Sequence, residues 1–152
     1  MNILLDTNIF ILITKNDAFK NWFKRNYGDF DKSYMFTSSV VLGELDSIAK
    51  QNQWGKRRKA TLKETTSYFE PVHTGYEEVI SAYGDIDAYS QGKLRGHPLP
   101  AGMSARNMGK NDLWIAATTA ALGAELLSTD KDFLHLHEVF FRFRFVDVEQ
   151  FR

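Results

Sequence analysis

Two acids directly follow short apolar runs: Asp6 comes after Ile3-Leu4-Leu5, and Asp130 after Leu126-Leu127-Ser128-Thr129. In an open α/β sheet such positions lie just beyond the carboxyl ends of strands, where ligands are held. Asp112 opens a small-residue apolar run of helical length, and Glu44 borders the apolar face of another. The four can therefore gather around one crevice at the end of a sheet. Partly desolvated acids held close together raise one another's pKa or require a cation. A set with neither Cys nor His favours Mg²⁺ or Mn²⁺ over Zn²⁺. Such an ion polarises a phosphodiester, activates water and stabilises the leaving oxygen, and two ions about 3.5–4 Å apart would share those tasks.

Each acid also has a purely structural role open to it. Asp112 suits the positive end of its helix dipole, and Asp130 suits a cap before the Phe133–Val139 stretch, where Thr129 and Asp132 have capping-box spacing. Asp46 competes with Glu44, because a helical wheel places both at the margin of the apolar face. Spacing alone leaves these alternatives open.

Positive charge is local. The chain carries 19 basic and 19 acidic side chains, a formal net charge of zero, so bulk charge does not draw it to nucleic acid. Between Gln91 and Asn111, however, there is no acid, while Lys93, Arg95, Arg106 and Lys110 stand just ahead of Asp112. This stretch is the candidate phosphate-holding segment. A second group, Lys56, Arg57, Arg58, Lys59 and Lys63, adjoins Trp54, whose ring could stack on a base; a solvated helix face explains the charges as well. His135 and His137 are spaced i,i+2, which diverges on a helix, and receive no metal role. The aromatic tail Phe140–Phe145 reads as core or dimer contact.

The elements that must position these residues alternate between short apolar runs and stretches of helical period, the signature of an α/β fold with a mainly parallel sheet flanked by helices. Strands are expected at 2–5, 34–37, 69–73 and 125–128, with a period-two strand from Phe141 to Phe145 near a sheet edge. Helices are expected at 9–14, 18–26, 40–51, 57–68, 76–91 and 112–122, the last closed by Gly123. Gly92–Gly109 has no periodicity and reads as a functional loop. With 152 residues, 43% of them hydrophobic, one domain over 1–152 is expected. The absence of Cys excludes disulfides and a catalytic thiol and suits the cytoplasm. The start lacks a basic segment ahead of its apolar run, so no secretion signal is expected, and no run is long enough for a membrane span.

Taken together, Leu5-Asp6-Thr7-Asn8-Ile9-Phe10, Ser39-Val40-Val41-Leu42-Gly43-Glu44-Leu45, Asn111-Asp112-Leu113-Trp114-Ile115-Ala116-Ala117 and Ser128-Thr129-Asp130-Lys131-Asp132-Phe133 resemble, in order and spacing, the PIN-domain nucleases. The resemblance covers essentially the whole chain and extends to the stand-alone VapC-type toxin ribonucleases. It implies that Asp6, Glu44 and Asp112 are core metal-binding acids and Asp130 the more variable fourth, with Thr7 and Asn8 in support and Asp132 in reserve. It further implies a Mg²⁺- or Mn²⁺-dependent endoribonuclease, an RNA substrate, an antitoxin partner and a homodimer. The stretch Gly92–Gly109 is longer than a compact toxin needs.

Two other classes compete with this reading. A non-catalytic RNA-binding or scaffold PIN domain would keep the fold and the basic loop without metal affinity. A haloacid-dehalogenase-like phosphatase also begins with strand then aspartate, but needs a second acid two residues later, where this chain has Asn8.

Overall fold

A computed structural model describes residues 1–28 and 34–152. Five parallel strands form one sheet: β1 (Ile3–Leu5), β2 (Met35–Ser38), β3 (Glu70–Val72), β4 (Glu125–Ser128) and β5 (Arg142–Phe145), in the order β3-β2-β1-β4-β5. Six helices accompany it: α1 (Thr7–Lys15), α2 (Asp17–Tyr27), α3 (Ser39–Gln51), α4 (Lys56–Ser67), α5 (Glu77–Ser90) and α6 (Lys110–Leu122). The expected parallel α/β class is what forms.

Strand composition follows strand position. Every residue of β1 and β4 is buried, as suits inner strands covered on both faces. Edge strand β5 alternates, with Phe143 buried and Arg142 and Arg144 exposed, so its outward charges guard an unpaired edge. The opposite edge, β3, is three residues long and contains Pro71, which a central strand would not tolerate.

Strand order reverses between β1 and β4: the chain builds β1, β2 and β3 outward to one side, then returns to place β4 and β5 on the other. Ile3, Leu4 and Leu5 pair with Glu125, Leu126 and Leu127, so the two carboxyl ends finish side by side. Helices diverge from a reversal point of this kind and leave a crevice. Asp6 follows β1 there, and Thr129 and Asp130 follow β4.

Helix starts fall earlier than periodicity places them. Helix α1 begins at Thr7 rather than Ile9 because the Asp6 side chain is its N-cap, and α6 begins at Lys110, which puts Asp112 in its first turn. The segment after Asp130 is a 3₁₀ helix, Lys131–Leu136, capped by the Asp130 side chain. Gly123 closes α6 in the left-handed conformation (φ 60°), a position glycine fills without a Cβ clash. No helix among the described residues is long and apolar enough to cross a membrane.

Candidate metal centre

Asp6 is 6% exposed, and both of its oxygens are engaged. Oδ1 accepts from the Thr7 backbone N–H at 2.7 Å, and Oδ2 accepts from Ser128 Oγ at 2.6 Å. Burial raises its pKa; those two hydrogen bonds oppose the rise, and the charges of Glu44 and Asp130 add to it. Glu44, half-buried on α3, accepts from Thr7 Oγ1 at 3.0 Å, so one buried threonine links the first acid to the second. Its competitor Asp46 is exposed and paired with Lys50 one turn on.

The remaining acids lie on the α6 and β4 side. Burial pushes the Asp112 carboxyl up to about 7, helped by the charges of Asp6, Asp130, Glu44 and Asp132. Asp112, Asp130 and Asp132 each offer a carboxylate oxygen within 4.8 Å of the others. Asp130 Oδ1 accepts from the Asp132 backbone N–H at 2.8 Å. Ser128 ties the halves together: while its hydroxyl donates to Asp6, its Oγ accepts from the Asp130 backbone N–H at 3.0 Å. Asn8 Nδ2 donates to Thr129 Oγ1 at 3.3 Å, holding the segment before Asp130 against α1.

The structure brings Asp112, Asp130 and the reserve acid Asp132 into one cluster; Asp6 and Glu44 stand outside that group, joined to each other through Thr7 and close enough for their charges to act on Asp112. Ser128 was not foreseen as part of this arrangement. Its only signal is a small hydroxyl residue ending a buried strand just ahead of an acid, which many strands share. Among the described residues none of the ion pairs involves these five carboxylates. The donor set is all oxygen and lacks a compensating protein cation, which fits a hard divalent ion and not a soft one.

A cleft of about 290 Å³ opens beside this centre, lined by Asp112, Asp132 and the segment Ser104–Gly109. Arg106 belongs to that lining; Lys93, Arg95 and Lys110 are solvent-exposed outside it. The loop is anchored rather than loose: Lys93 N donates to Ala88 O and Arg106 N to Ser90 O, both at 2.8 Å, while Leu94, Leu99 and Met108 pack on the core.

Other candidates resolve into structure. Trp54 is 8% exposed and roofed by the Arg58 guanidinium 3.7 Å from its ring centroid, so it offers no open face to a base. His137 Nδ1 accepts from the Phe143 backbone N–H at 2.9 Å, and His135 is buried against Ser90. In the aromatic tail Phe141 and Phe143 are core residues.

The family model for the PIN domain matches residues 3–139. The chain belongs to the PIN-domain family. Three solved structures share its fold. VapBC2 from Rickettsia felis, bound to a promoter DNA fragment, superposes with a TM-score of 0.71 at 19% identity over 97% of this chain and 100% of that one. VapBC-1 from nontypeable Haemophilus influenzae gives 0.68 at 24% identity over 95% and 98%. VapBC-5 of Mycobacterium tuberculosis, from a family of toxin-antitoxin systems, gives 0.58 at 23% identity over 96% and 100%. No curated protein matches the sequence significantly. In this PIN domain the reversal point between β1 and β4 brings Asp6 and the segment leading to Asp130 side by side.

Proposed function

We propose that this PIN domain is a metal-dependent endoribonuclease that hydrolyses RNA phosphodiester bonds. One observation carries the reading: Asp112, Asp130 and Asp132 each offer a carboxylate oxygen within 4.8 Å of the others, with the charges of Asp6 and Glu44 acting on the same centre and no ion pair to any of the five among the described residues. In this reading Asp6, Glu44, Asp112 and Asp130 hold Mg²⁺ or Mn²⁺, with Asp132 within ligand reach. The bound ion supplies charge to polarise the phosphodiester and to activate water. Thr7 and Ser128 orient Glu44 and Asp6, and Asn8 steadies the chain before Asp130. Arg106, in the same cleft lining as Asp112 and Asp132, draws a phosphate toward the acids, while Lys93, Arg95 and Lys110 add longer-range attraction.

The decisive experiment is cleavage of an RNA oligonucleotide by the purified protein with Mn²⁺ or Mg²⁺, with EDTA, and with Asp6→Asn. Cleavage that needs the ion and Asp6 is expected. Cleavage surviving both changes removes the reading, and an inert protein that binds RNA but no Mn²⁺ identifies the scaffold alternative.

The shared fold with VapBC structures supports a narrower role, the toxin of a toxin-antitoxin pair, acting in the cytoplasm as a homodimer and restrained by a cognate antitoxin. Expressed alone, the chain then arrests growth, and Asp112→Asn relieves the arrest. Equal harmlessness of both forms ends the toxin role without touching the nuclease.

A further inference from the structure

The nuclease reading leaves one buried polar pair without a task. His135 is 5% exposed and lies on the 3₁₀ helix whose cap is Asp130 and whose first turn carries Asp132. Its Nε2 is 2.8 Å from the Oγ of Ser90, the fully buried last residue of α5. The same serine holds the loop: its carbonyl accepts from Arg106 N at 2.8 Å, and its hydroxyl reaches Met108 Sδ at 3.4 Å. Ser90 is therefore bonded at once to the helix that carries Asp132 and to the loop that carries Arg106, both in the cleft lining.

An apolar pair of this size would fill the same space at lower desolvation cost, whereas a hydroxyl–imidazole bond fixes distance and direction. Which of Ser90 Oγ and His135 Nε2 donates is set by the imidazole tautomer, and either way the 2.8 Å bond joins the end of α5 to the 3₁₀ helix. Burial, then the charge of Arg106, lower the imidazole pKa to about 4, so the bond is a neutral one at physiological pH.

We propose that His135 and Ser90 are positioning residues that fix the placement of Arg106 relative to Asp112 and Asp132 in the lining of the cleft, and with it the seating of a phosphodiester there. This rests on the nuclease reading above. Neither side chain lines the cleft; each acts through what it holds.

The test compares Ser90→Ala, His135→Leu and His135→Gln for KM and kcat on an RNA oligonucleotide, for Mn²⁺ affinity by calorimetry, and for amide exchange across 92–109. Ser90→Ala and His135→Leu should raise KM about ten- to a hundredfold, as ångström-scale misplacement does, and speed exchange in the loop. Mn²⁺ affinity and kcat should change far less. His135→Gln, whose amide can donate to Ser90 Oγ, should recover most of the loss. Arg106→Ala combined with Ser90→Ala should be no worse than Arg106→Ala alone. Wild-type KM and exchange in Ser90→Ala overturn the proposal, as does equal damage from Gln and Leu at position 135. If His135→Leu does not fold, Ser90→Ala still decides. If the wild-type protein cuts no RNA, the nuclease reading falls, and unchanged exchange in Ser90→Ala overturns the clamp separately.

Discussion

Ser128 Oγ donates to Asp6 Oδ2 at 2.6 Å across the β1–β4 junction, in a bond between residues 122 positions apart. Because the same oxygen accepts from Asp130 N, one hydroxyl fixes the first acid and the approach to the fourth. Ser128→Ala removes both bonds inside a buried site. A loss of about 1–3 kcal/mol in stability is expected, since a buried donor is left unpaired. Metal affinity should fall about ten- to a hundredfold, as when groups orienting a ligand are lost. Chemical denaturation and Mn²⁺ titration read the two effects, and wild-type Mn²⁺ affinity would count against the proposed orienting role.

Removing an acid altogether should cost activity more than fold. Asp6→Asn and Asp112→Asn each withdraw a charge from the ion, and losing several kcal/mol of charge stabilisation corresponds to at least about 10²–10³-fold in kcat. Circular dichroism should stay native while single-turnover RNA cleavage collapses.

Asp112 also predicts a stability change of opposite sign. Burial raises its pKa from the ordinary 3.8 to about 7 in the fold without a metal, so the folded state holds this proton more tightly than the unfolded chain. The stability associated with that proton is present in full below the unfolded value and is lost as pH rises through about 7. In EDTA at pH 8, Asp112→Asn should raise Tm by about 2–4 °C, the equivalent of about 1 kcal/mol in a chain of this size. At pH 5 the gain should be smaller, because the folded state then holds the proton while the unfolded chain has largely lost it, and it should vanish only below the unfolded value of 3.8. Saturating Mn²⁺ should reverse the order by stabilising the wild type through binding. A gain that does not depend on pH would mean that ionisation of Asp112 is not its cause.

Arg106 and the outer basic residues should separate by salt dependence. Arg106→Ala should weaken RNA binding and lower the salt slope of log K by about 0.7, the contribution of one single-strand phosphate contact. Lys93→Ala and Arg95→Ala, outside the cleft lining, should act mainly on association at low salt.

Strand ends are easily read from sequence: Asp6 and Asp130 each follow an apolar run, and the pairing of β1 with β4 sets those runs side by side. Glu44 is harder, since a helical wheel does not separate it from Asp46. What separates them is tertiary, the reach of Thr7 Oγ1 from α1 to α3. Periodicity starts α1 at Ile9 and the structure at Thr7, because the apolar pattern does not register Asp6 as a cap. The Ser90–His135 contact left no local trace: its partners lie 45 residues apart and belong to no motif. Likewise, Gly92–Gly109 shows no period because side-chain anchoring, not a repeating backbone ladder, holds it in place.

The adjacency of β1 and β4 also bears on synthesis. The N-terminal portion of the chain emerges from the ribosome with Asp6 but without the strand that supplies Ser128 and leads to Asp130, so a half-made chain holds only fragments of the ion's binding site. For a protein proposed to destroy RNA, this arrangement delays danger until β4 has been made, and products terminated ahead of that strand should be harmless to the cell that makes them.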